Sequence, residues 1–186
     1  MQLFRQFIPN IILAALIYPA ANSYSEEQVI SRENLSNDIK IIFEAAPKDT
    51  LFNDSVEQLS EQDTDIHIEA LVNWNDDISI DGQSAAGFIP YVNITSEIIN
   101  ENTNDKNVVE LTPHINLIDG FHYAKNIKLP GLRTDTYKII FTITPDSKTL
   151  TYHMDWKESY PYPIFTKKVF TYSNLDFKAM SEATRR

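Results

Sequence analysis

The stretch TYKIIFTI, residues 136–143, decides the fold class of this chain. Its large apolar side chains fall at every second position, which are Tyr137, Ile139, Phe141 and Ile143. Successive side chains of an extended strand point to opposite faces, so this alternation predicts a β-strand with one face in a core. The turn-forming residues Pro145-Asp146-Ser147 follow it and predict the end of the strand.

Six further segments show the same alternation, and turn signals such as Asp119-Gly120 and Pro130-Gly131 separate them. These segments are residues 65–74, 88–99, 107–117, 123–129, 150–156 and 165–172. An apolar patch at residues 39–46 predicts an additional edge strand. Only residues 55–62 and the last ten residues predict short helices, and we expect Arg185-Arg186 to be a frayed terminus. Seven or eight short strands at this spacing predict an all-β fold, an antiparallel β-sandwich.

The composition indicates a globular protein and argues against several functions. The 186 residues, of which 42% are hydrophobic, are enough for one folded domain. The 26 Asp and Glu outnumber the 16 Lys and Arg, and the net charge of −10 argues against nucleic acid and anionic lipid as partners. The absence of cysteine excludes disulfides, thiolate zinc sites and a cysteine nucleophile. Neither a P-loop motif nor a GxGxxG motif occurs.

Residues 1–23 have the pattern of a cleaved signal peptide. Arg5 supplies a positive charge, residues 8–18 are apolar without charge, and Ala21-x-Ser23 fits the small-residue rule for cleavage. The alternative is an N-terminal membrane anchor, but the apolar run is shorter than the roughly 20 residues that span a bilayer as a helix. We therefore predict that export leaves residues 24–186 as one soluble domain without membrane insertion.

Four histidines carry the functional argument, namely His67, His114, His122 and His153. Alternation places each of them on the face of its strand opposite to the apolar side chains. One interpretation is four unrelated surface histidines. The other is that the polar faces converge on a metal ion, because neutral imidazole is the commonest metal ligand near neutral pH. Spacing alone leaves both interpretations open, since the ligands would come from distant strands.

Two segments of the chain match a known family. They are DIHIEA at residues 65–70 and DGFHYAKNI at residues 119–127, with Pro90-Tyr91 between them and Thr136-Tyr137 and Pro163 after them. With these segments the sequence resembles the bacterial periplasmic high-affinity iron-transport proteins, whose members work with an inner-membrane iron permease. The resemblance runs from about residue 65 to residue 172.

The resemblance implies an immunoglobulin-like β-sandwich of seven to nine strands that forms a homodimer in the periplasm. It also implies a metal site in each subunit that is occupied by copper in known members and linked to iron uptake. We predict that the site in this chain binds copper, iron or both, and that it can take zinc in vitro. Carried over residue by residue, His67, His122 and His153 match the family's three histidine ligands. Glu69 matches a carboxylate beside the site, and we predict it as a further metal ligand. Asp119 matches an acidic residue just before the second histidine, and we expect it to support the ligands without binding the metal itself.

His114 stands where the family has a methionine ligand, and we predict it as a further ligand of this site. Thioether sulfur favours Cu⁺, whereas imidazole suits Cu²⁺, Zn²⁺ and Fe²⁺. The replacement therefore predicts a weaker preference for Cu⁺ than the family has. A second difference is Ala124, where a glycine is usual, and its small side chain predicts little consequence.

These observations predict a periplasmic metal-binding protein that assists high-affinity iron uptake with an inner-membrane iron permease as its partner. We do not expect an enzyme, and no catalytic residue is predicted. One alternative is a periplasmic cuproenzyme that oxidises Fe²⁺ or removes superoxide, and the other is an immunoglobulin-like adhesion module with incidental histidines. Turnover with Fe²⁺ and dioxygen would favour the first alternative, and a lack of metal binding would favour the second.

Overall fold

The computed structural model of the chain describes residues 27–53 and 58–185. Within these residues it has eight strands and two short helices. In chain order they are β1 (Gln28–Asn34), β2 (Ile39–Ala46), β3 (Ile66–Trp74), β4 (Val92–Asn100), β5 (Lys106–Asn116), β6 (Gly120–Ile127), β7 (Thr136–Pro145), α1 (Met154–Ser159), β8 (Lys168–Asp176) and α2 (Lys178–Glu182).

The strands are antiparallel and follow the order β1-β2-β3-β6-β5-β4-β7-β8. The long strand β5 connects the two halves of this order. Its residues Lys106 to Leu111 pair with β4, whereas Thr112 to Asn116 pair with β6. Because β5 changes its partner in mid-strand, the sheet folds over into two layers. This architecture confirms the predicted all-β sandwich of seven to nine strands.

The core lies between the two layers and is rich in isoleucine and aromatic side chains. Phe43 of β2 stacks on Phe141 of β7, with ring centroids 4.0 Å apart. Tyr137, Ile139 and Ile143 are fully buried, as Phe141 is, which confirms the alternation from which β7 was predicted. Burial of each aliphatic or phenylalanine side chain contributes roughly 1.5–3 kcal/mol, so this contact surface holds the layers together.

The predicted strand at residues 150–156 is wrong. The chain forms α1 there instead, with Tyr152 before the helix and Trp156 within it, both half-buried against the core. These two aromatic residues are four positions apart, which suits one face of a helical turn as well as one face of a strand. A short apolar run does not distinguish between the two structures.

The sequence prediction also missed β1, whose residues QVISREN are largely polar. This strand pairs with residues 40–45 of β2, so residues 39–46 form an inner strand and not the predicted edge strand. The other predicted strands are present with shifted ends, and α2 confirms a helix in the last ten residues. Residues 58–62 contain no helix, while residues 54–57 lie outside the described residues.

The predicted signal peptide at residues 1–23 lies outside the described residues. In the described part of the chain, neither helix has the length and apolarity required to cross a membrane.

Candidate metal centre

Three of the four histidines meet on the outer face of one layer. β6 lies between β3 and β5, and the strand register places His67 opposite Asn126 and His114 opposite His122. His122 and Asn126 share one face of β6, so all three imidazoles project to the same side. Their nitrogen ligand atoms lie within 4.8 Å of one another, close enough for small side-chain movements to bring them around one ion.

A loop and the end of the chain cover this outer face. His67 and His122 are each only 2% exposed, and His114 is half-buried. The imidazoles line a pocket of about 440 Å³ together with residues 49–53, Gln58 and Arg185. The site is therefore a partly enclosed polar pocket on the side of the layer that faces away from the core.

Hydrogen bonds fix the orientation of the His67 ring. Its Nδ1 lies 2.8 Å from Asn126 Oδ1, while Asn126 Nδ2 donates to the carbonyl oxygens of Asp49 and Leu59. Since Asn126 Nδ2 donates both of these bonds, the amide orientation is fixed, and Oδ1 must accept a hydrogen bond from His67 Nδ1–H. The tautomer with Nδ1 protonated leaves the lone pair of His67 on Nε2, which is the arrangement that a metal ligand requires.

The other two rings are held in a similar way. His122 Nδ1 donates to the Gly120 carbonyl at 3.1 Å, which leaves its Nε2 as the basic nitrogen. His114 Nε2 lies 3.3 Å from Thr112 Oγ1, and its Nδ1 is buried without a hydrogen-bond partner among the described residues. A buried nitrogen without a partner costs free energy, and a bound cation would satisfy it.

Burial keeps the three imidazoles neutral. Desolvation lowers the pKa of His67 to about 3 and the pKa of His114 to about 4, and it also lowers the pKa of His122. A neutral imidazole has the lone pair that binds a metal, so all three side chains are in the binding form at neutral pH. Protons compete with a metal ion for these nitrogens only below the ordinary histidine pKa of about 6.5.

These side chains fit a transition metal ion. Three neutral imidazoles with orienting hydrogen bonds suit Cu²⁺, Zn²⁺ or Fe²⁺, and they would hold the ion through His67 Nε2, His114 Nδ1 and His122 Nε2. The small Ala124 lies between Glu69 of β3 and Thr112 of β5 in the register. Sulfur is not available at this position, because His114 occupies it.

A group of carboxylates lies beside the histidines. One oxygen atom each of Glu27, Glu69 and Asp119 lies within 4.8 Å of the others, and Glu69 Oε1 is 3.6 Å from His67 Nε2. Glu69 is fully buried, and desolvation raises its pKa to about 8. Glu69 and Asp119 are thus next to the histidines, as predicted, but they belong to a group of their own. Asp119 also accepts a hydrogen bond from Asn116 Nδ2 in the β5–β6 turn.

Sequence reasoning missed four residues of this region, namely Glu27, Glu44, Asn126 and Arg185. Burial raises the pKa of Glu27, and raises the pKa of Glu44 to about 7. The expectation of a frayed terminus is wrong for Arg185, whose guanidinium nitrogen lies 2.8 Å from Glu69 Oε1 and 3.0 Å from Glu27 Oε1. Arg186 lies outside the described residues. No local pattern indicates these contacts, although Asn126 does share the polar face of its strand with His122.

His153 is not among the histidines that come together within the chain. It is exposed and directly precedes α1, as its N-terminal cap residue. It lines a separate cleft of about 370 Å³ whose other walls include Trp74, Phe88 and Trp156. The role of His153 as a metal ligand therefore remains a prediction, and it requires a contact that one chain does not make by itself.

Comparisons with known proteins agree with this architecture. As-isolated FetP from uropathogenic Escherichia coli is 22% identical over 81% of this chain and 95% of its own, with a TM-score of 0.63. Copper-reconstituted P19 from Campylobacter jejuni is 22% identical over 80% of this chain and 94% of its own, with a TM-score of 0.66. At these identities the structures show a shared fold. A copper-bound variant of FetP is similar at 20% identity and a TM-score of 0.64, covering 81% of this chain and 99% of its own.

No curated protein sequence matches the chain significantly. The model of a family described as Fe²⁺ transport protein matches residues 24–179, which include all four histidines and the carboxylates beside them. This match extends over most of the sequence and confirms the resemblance from which the family was predicted. The chain belongs to the Fe²⁺ transport protein family.

Proposed function

We propose that this protein is a periplasmic metal-binding protein that holds copper through His67, His114 and His122 and assists high-affinity iron uptake. The observation that carries the proposal is the convergence of three neutral imidazoles whose other ring nitrogens are hydrogen-bonded or, for His114, placed beside Thr112. Family membership supports the link to iron, and the copper-bound forms of FetP and P19 support copper as the ion. FetP was expressed in the periplasm, which supports the location.

The chain's own side chains bind and orient the ion. Asn126 and the Gly120 carbonyl each hold one imidazole by its Nδ1–H and so direct Nε2 into the pocket. Covering residues 49–53 restrict access of water, which strengthens the bonds between ion and ligands. A bound copper ion would supply one-electron redox chemistry next to the carboxylates.

The fourth ligand in this proposal is His153 of the partner subunit in a homodimer. The β5–β6 turn beside the histidines holds Leu117 and Ile118, whose apolar side chains are largely exposed to solvent. The cleft around His153 is lined mainly by apolar side chains. A two-fold dimer in which each apolar turn covers the partner's apolar cleft would bring each His153 towards the other subunit's three histidines.

Iron is the cargo in this proposal. The carboxylates of Glu27, Glu69 and Asp119 offer oxygen ligands beside the imidazoles, and Fe²⁺ accepts both types of ligand. An inner-membrane iron permease is the proposed recipient of the iron. The expectation that the protein is not an enzyme stays a prediction, and an assay of Fe²⁺ oxidation by dioxygen would test it.

The test of the proposed function is the Cu²⁺ affinity of three single variants, His67→Ala, His114→Ala and His122→Ala. Each should bind Cu²⁺ at least about tenfold more weakly than the wild type, because each lacks one bond to the ion. Competition with a Cu²⁺ chelator gives the affinities, and circular dichroism verifies the fold. Wild-type affinity in all three variants would refute the site, and metal analysis of the protein from its native periplasm identifies the ion.

A further inference from the structure

Arg185 reaches the metal centre from a part of the chain beyond the family match, which ends at residue 179. Its Nη2 donates to Glu69 Oε1 at 2.8 Å and to Glu27 Oε1 at 3.0 Å, and its Nη1 lies 3.6 Å from Asp49 Oδ2. Arg185 also lines the histidine pocket. One positive side chain therefore faces three carboxylates at the edge of the histidine cluster.

Two of the carboxylates that Arg185 contacts, Glu27 and Glu69, have the spacing of a cation site together with Asp119. Oxygen atoms of Glu27, Glu69 and Asp119 lie within 4.8 Å of one another. Glu69 is fully buried, and its Oε2 has no hydrogen-bond partner among the described residues. Arg185 satisfies only Oε1, whereas a small divalent cation can bind carboxylate oxygens from several residues at once.

We propose that Arg185 is a tethered cation that occupies the carboxylate side of the metal centre and competes there with a divalent cation. The inference rests on the proposed metal-binding function and adds a way in which metal binding is regulated. When Arg185 is docked, its charge partly neutralises the carboxylates. When Arg185 leaves, the same oxygens become available to an oxygen-liganded ion. The two states exclude each other, so binding of the ion and docking of Arg185 are reciprocally linked.

The release of Arg185 requires movement of only a short segment. Met180 and Ser181 anchor α2 because both are buried, and the helix ends at Glu182. Ala183 has an extended backbone, so residues 183–185 leave the helix as an irregular segment. The sandwich and α2 can therefore stay in place while the guanidinium group withdraws.

Mn²⁺ binding to the full chain tests this proposal, because Mn²⁺ prefers carboxylate oxygen and its free form has a strong EPR signal. Arg185→Gln removes the charge and should bind Mn²⁺ about tenfold more tightly than the wild type. Arg185→Lys keeps the positive charge, and its Mn²⁺ affinity should stay within about threefold of that of the wild type. The matched control is Lys106→Gln, which removes one positive charge from the exposed ion pair with Glu97 and should leave the Mn²⁺ affinity unchanged.

Two further measurements locate the competition at Arg185. Adding Glu69→Gln to Arg185→Gln should abolish the gain in Mn²⁺ affinity, because the buried carboxylate is lost. In the wild type, the diamagnetic ion Mg²⁺ at saturation should shift the Nε–H resonance of Arg185 towards that of a free arginine side chain.

An Arg185→Gln variant that binds Mn²⁺ no more tightly than the wild type would overturn the proposal. If its melting temperature were also lower, Arg185 would be a purely structural ion-pair residue. A failure of the proposed function would show elsewhere, in the three histidine-to-alanine variants, whose Cu²⁺ affinities are measured with Arg185 intact.

Discussion

The histidines of this protein lie in two regions that are built differently. His67, His114 and His122 stand on neighbouring strands, whose hydrogen-bonded register sets the positions of their side chains relative to one another. His153 precedes the six-residue helix α1 in a segment without ladder pairing, and it is exposed. A strand ladder can thus preorganise a binding site within one chain. An exposed irregular segment is suited to complete a site when another surface docks against it.

Among these variants, removal of the hydrogen-bond partner of His67 should lower the Cu²⁺ affinity most strongly. Asn126→Ala takes away the acceptor for His67 Nδ1–H, so the Cu²⁺ affinity should fall about 10- to 100-fold although every ligand is still present. Chelator competition measures this loss. The matched control is Asn107→Ala, which removes an exposed amide that donates to the Lys128 carbonyl. Equal affinities of the two variants would show that the ladder alone orients the ring.

A substitution at His153 tests whether the exposed segment before α1 contributes a metal ligand. His153→Ala should lower the Cu²⁺ affinity about tenfold at concentrations where the homodimer forms, and leave it unchanged in the dilute monomer. The reason is that, in the proposed homodimer, the lost imidazole belongs to the partner subunit. Titrations at several protein concentrations, with sedimentation velocity for the oligomeric state, measure the effect. A loss that is independent of concentration would contradict a ligand supplied by the partner, and no loss at all would remove His153 from the site.

Glu69→Gln tests whether the buried carboxyl beside the histidines carries a proton in the folded state. Burial raises the pKa of Glu69 from 4.5 to about 8, so the folded state keeps a proton that the unfolded state has released. This carboxyl stabilises the fold fully below the unfolded pKa, and the contribution is lost as the pH rises through 8. The glutamine does not titrate, so the stability of the variant relative to the wild type should rise between about pH 5 and pH 8, by up to about 1.4 kcal/mol per pH unit.

Thermal unfolding without added metal, followed at several pH values, measures this gain as a growing difference in melting temperature between Glu69→Gln and the wild type. A difference that stays constant across this pH range would show that Glu69 is ionised in the folded state, with Arg185 as its counter-ion.

The smallest effect is expected from a change of ligand type within the strand region. His114→Met restores the sulfur that the family has at this position, so the ratio of Cu⁺ to Cu²⁺ affinity should rise by about threefold or more. Parallel competition titrations with Cu⁺ and Cu²⁺ chelators give this ratio. An unchanged ratio would mean that the side chain at position 114 does not touch the ion.

Alternation predicted those features that depend only on neighbours along the chain. It assigned Tyr137 and Phe141 to the core, and it placed His67 and Glu69 on one face, where their side chains now lie 3.6 Å apart. The same reasoning failed at residues 150–156, because the aromatic residues there have a spacing that helix and strand both satisfy. It also missed β1, since a polar outer strand buries too few side chains to show a clear apolar period.

The supporting contacts of the site could not be read from local patterns. Asn126 reaches His67, and Arg185 reaches Glu69, across 59 and 116 positions of the sequence. Such contacts depend on strand order and on how the last segment folds back, and neither leaves a periodic signal. The resemblance to the family supplied the ligand positions, but it did not extend to residue 185.

The sharing of β5 between the two layers has a consequence for mechanical strength. An ion bound by His67, His114 and His122 would act as a reversible cross-link between β3, β6 and the second half of β5, next to the point where the strand changes its partner. Opening of the sandwich at this seam would first have to break bonds to the ion. Occupancy should therefore slow amide exchange and proteolysis at the seam more than at the outer strands β1 and β8. A molecule without an ion at the histidines should therefore open more readily at this seam and be degraded sooner.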